Sequence, residues 1–218
     1  ALAFDGPHQV SLWARNPAHV DDLRAQRENT RYLPGVRLPD SLTLTSVLAE
    51  AACGADLHLV VTPLSGLRAA VRELRRLQPG TPLVWACKGL EAGSGRMPHE
   101  IVAEELGGDA PCGVLTGPSF AAEVARGQPT AITLASTHDA FIDRWLPELH
   151  QPLLRVYANT DLVGAEIGGA IKNVMAIAAG VSDGLGFGLN ARAALITRGL
   201  AEIARLAVAL GGRPETLM

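Results

Sequence analysis

The chain has 218 residues, 48% of them hydrophobic and 19% charged, which predicts a packed globular protein and excludes a disordered one. Its net charge of −3 argues against a general surface for nucleic acid or anionic membranes, while leaving room for a local cationic pocket. The cysteines Cys53, Cys87 and Cys112 are too far apart for a zinc site or a disulfide framework, so we expect no metal and a reducing cytoplasm. No continuous apolar stretch reaches the roughly 18–20 residues that span a bilayer, so no membrane partner is expected.

Short apolar runs alternate with amphipathic segments along most of the chain, which is typical of βαβ units. Strands are predicted at residues 10–13, 42–45, 57–61, 82–87, 112–115, 130–135 and 153–158. Helices are predicted at residues 18–29, 46–53, 64–78, 99–106, 119–127 and 139–149, with Pro147 bending or ending the last. The fold class is therefore α/β, a Rossmann-like, mostly parallel sheet with helices on both faces.

The alternation stops near residue 159. Two long helices follow, predicted at 161–181 and 191–210 and joined by a glycine-rich link. We expect a dinucleotide-binding domain over residues 1–158 and an all-α substrate domain over residues 159–218. Both ends read as incomplete, because ALAF resembles the tail of a helix, no strand and Gly-rich turn precede Val10, and GGRPETLM stops just after a helix. The opening ALAFDGPHQV lacks a basic flank and a small-residue cleavage site, so no signal peptide is predicted.

Three side chains are candidates for the ligand edge of the sheet. Arg15 follows the first predicted strand, where an arginine accommodates the 2′-phosphate of NADP and an acidic residue binds NAD, although an ordinary surface arginine fits as well. Tyr32 lies near the same ribose or packs beneath its loop. Lys88 follows a strongly apolar strand at the edge where ligands bind, and it either holds a phosphate or reacting oxygen or is solvated.

The segments TGPSFAAE and GLGFGLNARA supply further candidates. Gly117 turns the chain after a strand, and Ser119 is expected to cap the next helix, where free N–H groups suit an anion. The glycines at 184, 186 and 188 follow a helix rather than a strand, so they are read as a link and not as a phosphate loop. Asn190 is expected to cap the last helix, and Arg192 in its first turn to face substrate.

Lys172 lies in an otherwise apolar helix, AEIGGAIKNVMAIAAGVSDG. At 100° per residue it falls opposite a predicted core stripe, on a face of glycine and alanine that carries little charge. That face predicts a covered crevice in which a partly desolvated lysine acts as general acid or base, the alternative being a solvated lysine. The core stripe consists of Val163, Ile167, Val174, Ile177 and Val181.

The blocks VSLWARN, VWACKGLE, LTGPSFAAEVARGQPTA and GGAIKNVMAIAAGVSDGLGFGLNARAALITRG occur here in one order. Together they resemble the bacterial NAD(P)-dependent sn-glycerol-3-phosphate dehydrogenases over nearly the whole chain. The resemblance implies reversible reduction of dihydroxyacetone phosphate to sn-glycerol 3-phosphate, for phospholipid synthesis, with NADP or NAD as cofactor. The Ala/Gly-rich helices could pair across a homodimer.

The resemblance also implies roles for individual residues. Lys172 is the catalytic acid/base, and Asn173 lies at the same centre. Lys88 contacts both cofactor and substrate. The remaining assignments are Gly117 and Ser119 to substrate, and Ala121, Arg15 and Tyr32 to cofactor.

The chain departs from the family pattern, because it lacks the opening GxGxxG-type turn and the later segments that bind substrate phosphate. We therefore expect the 218-residue chain alone to be weakly active or inactive. Two other interpretations stay open. One is a related 3-hydroxyacid or 6-phosphogluconate-type dehydrogenase, disfavoured because Lys172 and Asn173 are adjacent. The other is a non-catalytic dinucleotide-binding module.

Overall fold

The computed structural model describes residues 8–217, so the predictions made for ALAF and for a signal peptide lie outside the described residues. The strands are β1 (Ser11–Trp13), β2 (Glu28–Asn29), β3 (Leu33–Arg37), β4 (Thr43–Thr45), β5 (His58–Val60), β6 (Leu83–Trp85), β7 (Cys112–Thr116), β8 (Thr130–Ala135) and β9 (Leu154–Asn159). The helices are α1 (Pro17–Gln26), α2 (Leu48–Ala52), α3 (Leu67–Leu77), α4 (Pro98–Leu106), α5 (Ala121–Ala125), α6 (Asp139–Leu149), α7 (Leu162–Gly184) and α8 (Gly188–Ala209).

A five-stranded sheet in the order β5-β6-β7-β8-β9 forms the centre of the fold. Its pairs are parallel except β7 with β8, which run antiparallel, so the predicted mostly parallel sheet is confirmed. Strands β1 and β4 form a separate parallel pair. Within residues 8–217, the predicted sheet is therefore divided into two pieces.

Helices cover both faces of this sheet because its strand β6 carries apolar side chains on both faces. Leu83 and Trp85 point to one face and Val84 to the other, because side chains alternate along a strand. All three are buried, as expected for a central parallel strand. Helices α3 and α4 cover the first face through Leu67, Val71 and Ile101, and α6 covers the second through Phe141 and Trp145.

A β-hairpin of β2 and β3 replaces the end of the predicted helix 18–29. Helix α1 ends at Gln26 because Arg27 adopts a left-handed conformation, with φ 49°. Strand β3 contains Pro34 and Gly35, which count against a strand in the sequence, and it is held by the antiparallel partner β2. Helix α6 runs two residues beyond Pro147 to Leu149, so the proline lies inside the helix and close to its end.

Helices α7 and α8 pack against each other and carry the chain away from the sheet. Their shared cluster contains Ile167 and Ile203 with Met97, and the side chain of Met175 fills the space left by Gly199. By length and mean hydropathy α7 alone, among the described residues, could cross a membrane. The first half of α7, including Leu162 and Ala165, is however built into the protein core. This packing accounts for the apolar residues in the first half of α7.

Asp161 joins the start of α7 to the segment after α8. Its buried carboxylate accepts hydrogen bonds from Gly164 N at 2.9 Å, Arg213 N at 2.7 Å and Thr216 Oγ1 at 2.7 Å. Burial on its own would raise the pKa of Asp161, but these donors outweigh burial and lower it. The side chain therefore acts as an N-cap and as an anchor for residues 213–216.

Replacing Asp161 with alanine should lower the free energy of unfolding by about 2–3 kcal/mol at pH 7, since three donors lose their acceptor. A carboxyl whose pKa falls on folding contributes stability above its unfolded pKa, here 3.8, and loses that contribution as the pH falls. Urea denaturation of the full-length protein should therefore show a gap between wild type and variant that narrows below about pH 4. Asp183→Ala, at a half-exposed carboxylate, is the control, and an equal loss there would contradict the anchor role.

Candidate active site

The carboxyl ends of β6 and β7 meet at one edge of the sheet, because the two strands are parallel. Lys88 follows β6 and Gly117 follows β7, so the structure brings these two predicted site residues to the same edge. The Lys88 side chain is exposed there, and Gly89 beside it has φ 107°. In open α/β sheets this edge is where ligands bind.

Gly117 is the position where the backbone needs a glycine. Its φ is 141°, and an added Cβ would lie 3.0 Å from Ile132 Cα and 3.1 Å from the Ala131 carbonyl oxygen. Ser119 is exposed, but the prediction that it caps the next helix is wrong. Helix α5 begins at Ala121 with Phe120 at the cap position and no side-chain cap bond, so Ser119 lies one residue too early. No hydrogen bond within residues 8–217 engages its hydroxyl.

Helix α7 passes this edge at Gly169. A Cβ added to Gly169 would lie 2.8 Å from Thr116 Oγ1 and 3.7 Å from both Cδ and Cε of Lys88. The aliphatic stem of Lys88 and the hydroxyl of Thr116 therefore rest against a bare stretch of helix backbone. The missing side chain is what lets the sheet edge and the helix approach so closely.

Lys172 lies three residues after Gly169, on the same side of the helix. Partial desolvation, and then the positive charge of Lys172, lower the pKa of Lys88. No hydrogen bond or ion pair in residues 8–217 engages either ammonium group. Two neighbouring cations without an acidic partner suit a bound anion, or a negative charge that develops during a reaction.

The described residues do not form the crevice that was predicted around Lys172, so this prediction is wrong for that part of the chain. Lys172 and Asn173 are both exposed. The predicted core stripe also divides: Ile167 is 2% exposed, whereas Ile177 is 68% exposed. The reason is that the first half of α7 packs against the sheet and α4, while its second half is covered on one side, by α8. Val174 and Val181 are exposed like Ile177.

Two of the predicted cofactor contacts belong to the small strand pairs, Arg15 just after β1 and Tyr32 in the turn between β2 and β3. Arg15 follows β1, is exposed, and enters no hydrogen bond or ion pair among the residues the structure describes. Tyr32 is 66% exposed, so it does not pack beneath its loop. The rings of His19 and Tyr32 are nearly perpendicular with their centroids 5.6 Å apart, and the Arg31 guanidinium lies 5.1 Å from the Tyr32 ring centroid. Neither Arg15 nor Tyr32 contacts the lysine pair. Ala121 is exposed at the start of α5.

Two predictions about the link between α7 and α8 are corrected. Helix α8 begins at Gly188, so Asn190 lies inside its first turn and is not the cap. Arg192 pairs with Asp183 at 3.2 Å. With α8 starting at Gly188, Arg192 lies beyond the first turn and has a carboxylate partner, so the reason for placing it against substrate no longer holds.

Sequence reasoning missed two features of the site. Thr116 lies against Gly169 across the edge: the pair Gly168-Gly169 in a helix indicates close packing, but the sequence does not show that Thr116 is the partner. Glu166, a single carboxylate in an apolar stretch of α7, is 4% exposed and hydrogen-bonded to Trp85 and His99. Across residues 8–217, no cluster of three side chains offers a metal site.

The fold and this edge define a Rossmann-like α/β protein with a cationic site between its sheet and a following helix. The family model described as the NAD-dependent glycerol-3-phosphate dehydrogenase N-terminus matches residues 1–142. The model described as the C-terminus of the same enzyme matches residues 161–218. The chain belongs to the NAD-dependent glycerol-3-phosphate dehydrogenase family.

Individual relatives agree with this placement. The chain is 75% identical to a glycerol-3-phosphate dehydrogenase [NAD(P)+] of Aromatoleum aromaticum and 55% identical to one of Dechloromonas aromatica, in each case over all of this chain and 66% of the relative. The crystal structure of a glycerol-3-phosphate dehydrogenase from Coxiella burnetii is 43% identical, with a TM-score of 0.90, over 96% of this chain and 64% of that one. The chain thus spans about two thirds of the length of these relatives.

Proposed function

We propose that the protein reversibly reduces dihydroxyacetone phosphate to sn-glycerol 3-phosphate with NADPH or NADH, for phospholipid synthesis. One observation carries the proposal: the stem of Lys88 at the sheet edge lies against Gly169 of α7, three residues before Lys172 on the same side of the helix. Ketone reduction develops negative charge on the carbonyl oxygen, and a positioned ammonium group stabilises and protonates it. Family membership supports this substrate over that of a 3-hydroxyacid or 6-phosphogluconate-type dehydrogenase.

Lys172 is proposed to hold the proton that the carbonyl oxygen receives, and to take it back in the reverse direction. Asn173, also exposed, is proposed to hydrogen-bond the same substrate group. Lys88 is proposed as a fixed positive charge for both substrate and cofactor, with its stem held against Gly169. Gly117 and Ser119 are proposed to present a backbone N–H and a hydroxyl to the substrate.

The described residues fit a dinucleotide. Arg15, just after β1, has no hydrogen bond or ion pair within residues 8–217, and an arginine at this place suits the 2′-phosphate of NADP. The Tyr32 ring is exposed next to His19 and Arg31, and the small side chain of Ala121 is exposed at the start of α5. Hydride chemistry comes from the nicotinamide when the cofactor is bound. The domain division at residues 1–158 and 159–218 is proposed on the same basis, with cofactor on the first part and substrate shared with the second.

The test is an assay of the full-length protein with NADPH and a panel of dihydroxyacetone phosphate, 3-hydroxyacids and 6-phosphogluconate. Turnover should require dihydroxyacetone phosphate in the reducing direction. Turnover of another member of the panel would favour the related dehydrogenases. Binding of NADPH without turnover of any member would favour a non-catalytic module.

We further propose a cytoplasmic homodimer without membrane or nucleic-acid partners. The net charge of −3 supports the absence of an anionic partner. The exposed apolar side chains of α7 and α8, such as Ile177 and Leu200, support burial against another surface. Sedimentation equilibrium of the full-length protein tests the dimer, and a monomer at micromolar concentration would refute it.

Gly169→Ala should lower kcat/KM about 10-fold, because the new methyl group displaces Thr116 and crowds the stem of Lys88. Gly168→Ala is the matched control. Its methyl group meets only the end of the Leu217 side chain, at 3.1 Å, and both variants gain the same helix propensity of about 1 kcal/mol. Kinetics on the two variants therefore separate crowding at the site from an effect on the helix. Equal activities would show that Gly169 does not shape the site.

A further inference from the structure

Glu166 is a buried carboxylate with three donors from the first part of the chain. It is 4% exposed. Trp85 Nε1 donates to Oε1 at 2.7 Å, and the His99 backbone N donates to the same oxygen at 3.0 Å. His99 Nδ1 lies 2.6 Å from Oε2. The carboxylate thus joins α7 to the end of β6 and to the first turn of α4.

The chain positions of these partners connect them to the candidate site. Trp85 is the last residue of β6 and lies three residues before Lys88. Glu166 lies three residues before Gly169, which touches the Lys88 stem, and six before Lys172. The hydrogen bond from Trp85 to Glu166 therefore joins the two elements that carry the two lysines.

A buried carboxylate is costly unless donors or a positive charge compensate it. Here the free N–H at the start of α4, the indole N–H and the imidazole all do so. Burial would lower the pKa of His99, but its hydrogen bond to Glu166 prevails and raises it. An apolar residue would fill this position in α7 at lower cost, so core packing alone does not account for the carboxylate.

We propose that Glu166 is a positioning residue that fixes α7 against β6 through Trp85 and His99, and so sets the separation of Lys88 and Lys172. The expected effect of Glu166 on kcat rests on the proposed function, whereas its role in holding α7 against β6 does not. Glu166 touches neither lysine, so its effect reaches the site through the backbone of α7 and through Trp85. Small displacements of catalytic groups are sufficient to slow a reaction severely.

The kinetic test compares Trp85→Phe with Trp145→Phe in the full-length protein. Both remove one indole from a buried core position, but Trp145 lies on the opposite face of the sheet, against α6. Trp85→Phe should lower kcat about 10-fold, with the KM for NADPH unchanged, and Trp145→Phe should stay within about 2-fold of wild type. Equal losses of kcat in both variants would contradict the positioning role of Glu166, because removing an indole on either face of the sheet would then have the same effect.

A second experiment measures the titration of Lys88 by NMR and does not depend on enzymatic turnover. Lysines are reductively methylated with ¹³C-formaldehyde, the Lys88 resonance is assigned with Lys88→Arg, and its titration is followed by NMR. Trp85→Phe and Glu166→Gln should move the Lys88 titration toward that of an ordinary lysine, as should the positive control Lys172→Met. An unchanged titration in both Trp85→Phe and Glu166→Gln overturns the positioning role, whatever the kinetics. A shifted titration in a protein without dihydroxyacetone phosphate reductase activity would retain the positioning role and refute the proposed function.

Discussion

Lys172→Ala should abolish reduction of dihydroxyacetone phosphate, with kcat falling by about 10²–10⁴-fold, while NADPH still binds. The ammonium group is the proposed proton donor, and alanine leaves the carbonyl oxygen without a charge or a proton at that position. Binding of NADPH should persist, because Arg15 follows β1, Tyr32 lies in the turn between β2 and β3, and no hydrogen bond, ion pair or ring contact of either within residues 8–217 involves α7. Stopped-flow turnover and fluorescence titration of NADPH measure the two effects separately.

Arg198→Ala is the matched control for this variant. Arg198 is also an exposed cation on a helix of the second part, and its partner is Glu202 at 2.9 Å. Its loss should leave kcat within about 2-fold, since exposed ion pairs contribute little. Turnover by Lys172→Ala within a few-fold of wild type would remove Lys172 from the mechanism.

Lys88→Met should lower kcat/KM for dihydroxyacetone phosphate by about 10²-fold, mainly by raising KM. Methionine keeps much of the apolar stem that lies against Gly169, so the variant removes the charge with little change in packing. Because Lys88 is proposed as a binding charge rather than the proton donor, kcat should fall much less than in Lys172→Ala.

Lys88→Arg distinguishes charge from geometry at the same position. It keeps the positive charge but spreads it over a planar fork, so binding should recover in part. A variant Lys88→Met with unchanged KM and a kcat as low as that of Lys172→Ala would reverse the two proposed roles.

Most of the α/β part was predictable, because its strands are buried and its helices amphipathic. The run LVW of β6 is apolar at every position, and α3 buries Leu67, Val71 and Leu74 while Arg72, Arg75 and Arg76 are exposed. Period and composition identify such elements directly. The antiparallel pairing of β7 with β8 could not be predicted, because strand direction depends on long-range topology and not on local pattern.

The hairpin of β2 and β3 was missed for a local reason. Pro34 and Gly35 weaken any strand pattern, and the left-handed Arg27 that ends α1 has no sequence signal comparable to a glycine. The division of the sheet into two pieces likewise depends on which strands pair, and no single strand sequence records that choice.

For the site, sequence patterns predicted the positions of Lys88 and Gly117 at the sheet edge, and the structure places both there. They could not predict the environment of Lys172. The apolar stripe of α7 continues along the whole helix and so predicts burial throughout, but the sheet and α4 bury only the first half. Glu166 was overlooked because its partners, Trp85 and His99, are 81 and 67 residues away along the chain.

The most direct test of the proposed reaction follows the hydride that NADPH transfers. The full-length protein would be given NADPH deuterated at the transferable position of the nicotinamide, together with dihydroxyacetone phosphate, and the product examined by NMR. The account predicts sn-glycerol 3-phosphate with one deuterium on C2, because the hydride adds to the carbonyl carbon while Lys172 protonates the oxygen. Product without deuterium at C2, or no reduction of dihydroxyacetone phosphate by the wild-type protein, would contradict it.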